Sequence, residues 1–198
     1  MLKELLDQSE SIKDINHFFE DEKKKLIEDG AVIYELAGDT IGRQQESGRK
    51  FWYVTNGGQQ LLQLPSLRTE VAIYPDPERF FVPKSGGKDL ETIKALLRED
   101  AKNLRMRLKL DRIDEIVPNE ASTLTELFFK HADKTGVLLF GSEFGFLYGI
   151  TNNPINDQAT RVANVGSADV EHGLCIRGWF HEVGNAHVHV VRLVVPGH

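Results

Sequence analysis

Five of the seven histidines in this 198-residue chain, His172, His181, His187, His189 and His198, fall within its last 27 residues. Successive side chains on a strand alternate between faces, so His187 and His189 would share a face and could hold a metal together. The turn before them decides what joins them. A two-residue Gly184-Asn185 loop places Glu182 opposite His187. Two imidazoles and a carboxylate then leave open positions of the kind used by catalytic zinc or non-haem iron. A three-residue loop instead pairs His181 with His187 and Trp179 with His189, which gathers three histidines on one face. Against both stands a plainer reading. Val191 and Leu193 share the histidine face, and a histidine satisfies a half-buried strand position with one nitrogen on backbone or water. The expectation adopted is structural histidines and no cofactor, with a zinc or iron enzyme as the alternative.

A second set of chemically capable residues is basic. Lys94, Arg98, Lys102, Arg105 and Lys109 recur at four- and three-residue steps beside the apolar stripe of a helix, with Arg107 and Arg112 nearby. Such a flank could meet phosphates, nucleic acid or an acidic partner. Glu91, Glu99, Asp100 and Asp111 interleave with it, so local ion pairing on a solvated flank is the default and the balance speaks against nucleic acid. Ser85-Gly86-Gly87-Lys88 precedes the same helix and could bring backbone amides to an anion, but its spacing is not that of a phosphate-binding loop. Cys175 sits in an apolar strand pattern and reads as a small hydrophobe. Ser142 lacks the GxSxG context of a nucleophile elbow. No coherent catalytic set emerges.

The elements that must position these residues follow from periodicity. Residues 2 to 29 read as helix on Leu2, Leu5, Leu6, Ile12, Ile15, Phe18, Phe19, Leu26 and Ile27, with Ser11 and Asp14 as an internal start and Gly30 as a stop. Residues 31–37, 50–55 and 59–64 then read as short strands, the last two joined by a hairpin at Asn56-Gly57-Gly58. A strand over 69–74 and an edge at 79–82 complete an antiparallel meander. Two central helices come next: one capped by Asp89 with Leu90, Ile93, Leu97, Ala101, Leu104 and Leu108 inward, one capped by Ser122 with Leu124, Leu127, Phe128 and His131 inward and closed by Gly136. Between them Ile113, Ile116 and Val117 form a buried connection ended by Pro118. Residues 137–140, 144–150, 161–165, 174–180 and 187–195 read as C-terminal antiparallel strands, with turns at Asn152-Asn153-Pro154 and Gly184-Asn185. The order gives an α+β fold, expected as one domain over 1–198, with 1–118 and 119–198 as a possible subdivision.

Composition bounds the rest. Forty per cent hydrophobic and 27% charged residues suit a chain with a sizeable core, and a net charge of −6 argues against broad binding to nucleic acid or anionic membranes. The one cysteine excludes an intrachain disulfide and a cysteine zinc framework. The opening MLKELLDQSES has neither signal nor transit character, and no window holds a membrane span, so a cytoplasmic protein is expected.

Within residues 137–198, Arg161-Val162-Ala163, Gly166-Ser167, Arg177 and the terminal Val191-Arg192-Leu193-Val194 resemble the close of C-type-lectin-like folds, as in the formylglycine-generating-enzyme and retroelement-target groups. Val165-Gly166-Ser167-Ala168 stands where those groups carry GGSW. The resemblance implies a scaffold that displays a ligand on loops, without formylglycine chemistry. Together these readings predict a non-enzymatic binding module for an unidentified ligand or protein partner, with recognition at 152–157 and 183–185.

Overall fold

The computed structural model describes residues 15–180 and 182–197. In chain order it contains α1 (Glu20–Glu28), β1 (Val32–Ala37), α2 (Ile41–Glu46), β2 (Phe51–Val54), α3 (Gly58–Gln63), β3 (Arg68–Ile73), α4 (Pro77–Phe80), α5 (Leu90–Leu108) and β4 (Ile113–Glu115). It continues with α6 (Ala121–Thr135), a 3-10 turn (Ser142–Phe144), β5 (Tyr148–Pro154), β6 (Arg161–Asp169), β7 (Gly173–Phe180), β8 (Val188–His189) and β9 (Val194–Pro196). This is the expected α+β class. No helix among the described residues is long and apolar enough to cross a membrane.

The two central helices form where their stripes and caps predict. Asp89 accepts a hydrogen bond from Thr92 N at 2.9 Å to start α5, and Ile93, Leu97, Ala101 and Leu104 are buried along one face. Helix α6 is buried through its first nine residues, with His131 beyond them and Gly136 closing it at φ 74°. Its cap differs from expectation. The helix begins at Ala121, two residues before the start a Ser122 cap predicts, and Asn153 Oδ1 on β5 accepts from Ala121 N at 3.1 Å, so a distant strand supplies the capping oxygen instead of Ser122.

Two sheets sandwich α6. The first has the order β1-β3-β9-β4 and is antiparallel throughout; the second has the order β2-β7-β6-β5-β8, with β2 parallel to β7 and β8 parallel to β5. Leu36, Val71 and Ile73 from one sheet, Leu124, Leu127 and Phe128 from α6, and Val165, Leu174 and Ile176 from the other share one apolar cluster. Helix α5 covers both sheets from outside: Ile93 and Leu97 pack with Ile150 and Val162, while Leu104 packs with Ala72 and Val194. Strand β9 completes a sheet whose other three strands precede residue 118.

Several expectations are corrected. The meander is broken because β1 pairs directly with β3, Val32 opposite Ile73, while β2 leaves for the second sheet. No hairpin forms at Asn56-Gly57-Gly58, since residues 58–63 are helix. Q-Q-L-L-Q lacks a period of two; Leu61 is driven into the core there and Leu62 packs against it. Helix α2, which carries no strong apolar stripe, starts at Thr40, whose Oγ1 accepts from Arg43 N. The edge strand expected at 79–82 is mostly the short α4, with Phe81 making one bridge to Val191. Residues 15–19 are not helical: Asn16 bridges Thr69, and Phe18 N donates to Glu70 Oε2 at 2.9 Å. The Ser11–Asp14 start and the apolar positions before Ile15 lie outside the described residues. Leu139 and Phe140 are buried in a turn, not a strand, with Phe140 at φ 63°. Asn152-Asn153-Pro154 is the end of β5, not a turn.

The final segment also divides. Val188 and His189 pair with β5, Val191 bridges Phe81, and 194–196 cross into the first sheet. A Val- and Leu-rich segment, interrupted by His189 and Arg192, suits burial on both faces and carries no information about which sheet receives it.

Candidate functional site

The histidines expected to gather are kept apart by this topology. Strand β8 pairs with β5 and not with β7, so Glu182 has no place opposite His187. Glu182 lies exposed beside Asp89, Leu90 and Lys94 at the start of α5. His187 is exposed, its backbone N–H bonded to Asn185 Oδ1. His189 is half-buried: its Nε2 lies 3.0 Å from Ala186 O, its ring packs 5.2 Å from Phe81, and Gly86 sits so close that any side chain there would strike the imidazole. Burial pushes its pKa down, which favours the neutral form of a packing residue. Among the described residues no three His, Cys, Asp or Glu side chains are placed to hold a metal ion; His181 lies outside them. The glycines of the Ser85–Lys88 loop serve this packing. Gly87 N–H is bonded to Asn185 O, and Ser85 Oγ accepts from Val190 N. His189→Ala is expected to cost about 1–2 kcal/mol in chemical denaturation, and His187→Ala less than about 0.5 kcal/mol.

The basic flank is divided among separate tasks. Arg105 bonds Ile113 O and Asp114, and Lys109 ends α5 in the left-handed conformation at φ 53°. Lys102 is exposed. Lys94 and Arg98 differ, because they line a cleft of about 330 Å³ where α5 passes from one sheet to the other. Its remaining wall includes Leu97, Val117, Glu115 and Asn152. Lys94 Nζ is bonded to Glu91 at 2.8 Å, on the solvent side.

Two residues of its wall carry buried polar atoms without hydrogen bonds. Neither carboxyl oxygen of Glu115, at the end of β4, has a hydrogen bond, although the side chain is fully buried. The nearest cation is Arg192, whose Nε is 3.7 Å away. That guanidinium is already committed: it binds Asp100 through Nε at 2.7 Å and Nη2 at 3.1 Å, and Arg79 O through Nη1. Burial, with the Asp100 charge added, pushes the Glu115 pKa up to about 9. A raised pKa keeps Glu115 a neutral carboxylic acid at neutral pH, with Asp100 as the neighbouring acceptor for its proton. Asn152 turns its amide N–H2 toward Val117 O and Asn119 Oδ1, and its buried Oδ1 is left without a donor. An unmet buried polar group costs about 1–3 kcal/mol, so such groups mark places where something else supplies the bond.

A larger depression of about 440 Å³, beside α2 and α6, contrasts with the cleft. There Glu126 accepts from Ala37 N and Asp39 N, Asp39 takes Gln44, and Arg49 takes Asp133. Its polar groups are satisfied by one another.

Sequence reasoning found Lys94 and Arg98 and named Asn152 within a recognition turn at 152–157, where the structure has the end of β5, but it missed Glu115. The available signal was a carboxylate inside the apolar run Ile113-Asp-Glu-Ile-Val117, where strand alternation turns Glu115 toward the same side as Ile113. Comparison of the chain with family models, with curated proteins and with solved structures gave no match.

Proposed function

We propose that the protein is a binding module that takes a small organic anion in the cleft between α5 and Asn152. One observation carries this reading: an unpartnered Asn152 Oδ1 and the buried acid Glu115 belong to the wall of a cleft that Lys94 and Arg98 also line. An anionic group of the ligand meets Lys94 and Arg98 by charge-assisted hydrogen bonds, which are about twice as strong as neutral ones. Glu115, kept neutral, sets no charge against the anion, and Asn152 Oδ1 accepts from a ligand N–H or O–H. Leu97 and Val117 cover the apolar part. The C-type-lectin-like resemblance of residues 137–198 supports the same kind of role. The metal-enzyme alternative has no assembled ligand set among the described residues to support it.

Calorimetric titration with a panel of small hydroxy- and amino-carboxylates and their phosphate counterparts tests the reading. Saturable binding by at least one member is expected, weakened at least about 10-fold by Arg98→Ala and by Asn152→Ala. Affinity should fall as pH rises through about 9, where Glu115 becomes charged. Failure of every member to saturate, or saturation indifferent to both substitutions, removes the proposal.

A further inference from the structure

A second polar depression lies at the free edge of the other sheet. It measures about 280 Å³ and is lined by Tyr53, Thr55, Arg161, Arg177 and Gly178. In a chain of net charge −6 its lining holds two guanidinium groups and no carboxylate. Arg49, Arg79, Arg105, Arg107 and Arg192 are all engaged with aspartates. Arg161 and Arg177 rest on aromatic rings instead. The Arg161 guanidinium stands 5.5 Å from the Phe180 ring, and that of Arg177 is 5.9 Å from both Trp52 and Tyr148. Arg161 donates from Nη2 to Gly178 O at 3.1 Å, while its buried Nε has no partner. The rings around these cations are unusually open to solvent: Trp52 is 51%, Tyr53 50% and Phe180 53% exposed.

Large exposed aromatics are costly to leave in water and are enriched where a planar ligand stacks on them. Guanidinium forks match phosphate oxygens two at a time, and a guanidinium already seated on a ring loses little freedom when it binds. Open π faces, two arginines lining one depression and a cavity sized for a single unit match an aromatic base that carries one phosphate. We infer that this edge binds a single nucleoside monophosphate, its phosphate on Arg161 and Arg177 and its base against Trp52 or Tyr53. The site is separate from the cleft at Glu115 and does not depend on it.

Titration of the full chain with adenosine monophosphate, followed by tryptophan fluorescence and by calorimetry, tests the assignment. Saturable quenching is expected, with adenosine and inorganic phosphate each at least about 10-fold weaker, because each supplies only half of the contacts. Arg177 is exposed, so Arg177→Gln should leave the melting temperature unchanged and weaken binding at least about 10-fold. Trp52→Phe should remove most of the quench while calorimetry still detects binding. Any of these results would overturn the inference: no saturation with any of the nucleoside monophosphates; affinity unchanged in Arg177→Gln and in the Arg161→Lys/Arg177→Gln double variant; or binding lost in Arg98→Ala but kept in Arg177→Gln, which puts the nucleotide in the first cleft. Binding of single-stranded oligonucleotides that grows with length, with none to the mononucleotide, would equally sink it.

Discussion

Glu115→Gln is expected to be more stable than the parent protein above pH 7 and to match it near pH 4. The buried carboxyl has its pKa raised from an ordinary 4.5 to about 9. Between those values the folded chain keeps a proton that the unfolded chain has released, so stability falls as pH rises through that window. The contribution is fully present below the unfolded value and is gone above the folded one. Each unit is worth about 1.4 kcal/mol, so the loss from this group between pH 5 and pH 8 is on the order of 4 kcal/mol. Glutamine has the same shape and never ionises, and it leaves the Asp100–Arg192 pair in place. Urea denaturation at pH 4, 6 and 8 measures the effect. Parallel stability profiles for the two proteins would mean that Glu115 is ionised in the fold, and the account of a neutral acid in the cleft wall would fail with it.

Glu126→Ala should destabilise the chain by about 3–5 kcal/mol at neutral pH, the largest loss expected from a single polar truncation here. Glu126 is buried on α6 and accepts from Ala37 N at 2.9 Å, from Asp39 N at 3.2 Å and from Ser66 Oγ, with Lys130 Nζ at 3.3 Å. It therefore fastens the end of β1 and the segment before β3 to the central helix. Removing it strands the two backbone N–H groups and deprives Ser66 Oγ and the partly exposed Lys130 of a partner. Glu126→Gln keeps an acceptor oxygen and should cost about 1–2 kcal/mol. Equal midpoints for the alanine variant and the parent in urea would show that this network adds nothing. Comparable losses for Ala and Gln would show that charge, not hydrogen bonding, does the fastening.

Local chemistry was legible wherever its cause is local. The cap at Asp89, the four apolar positions of α5, the buried face of α6 through His131 and the glycine at 136 all depend on neighbours within a few turns of chain. So do the strands around 32–37, 68–73, 161–169 and 173–180. The site was half legible for the same reason: Lys94 and Arg98 announce themselves by helical spacing, whereas Glu115 and Asn152 look like a strand acid and a turn asparagine.

What only the tertiary structure decided is partnership. A period of two tells a strand which side to bury and not which strand to join, so β2 and the 188–196 segment went to sheets that no pattern names. That choice parted His187 from Glu182, took Asn153 to the start of α6, and brought Asn152 within reach of the 117–119 connection. The sequence by itself determined the α+β class, the helices and most strands, because hydrophobic burial and capping act over short separations. The pairing of β8 with β5 and the crowding of Asp100, Glu115 and Arg192 arose from long-range packing, and the proposed ligand cleft rests on both.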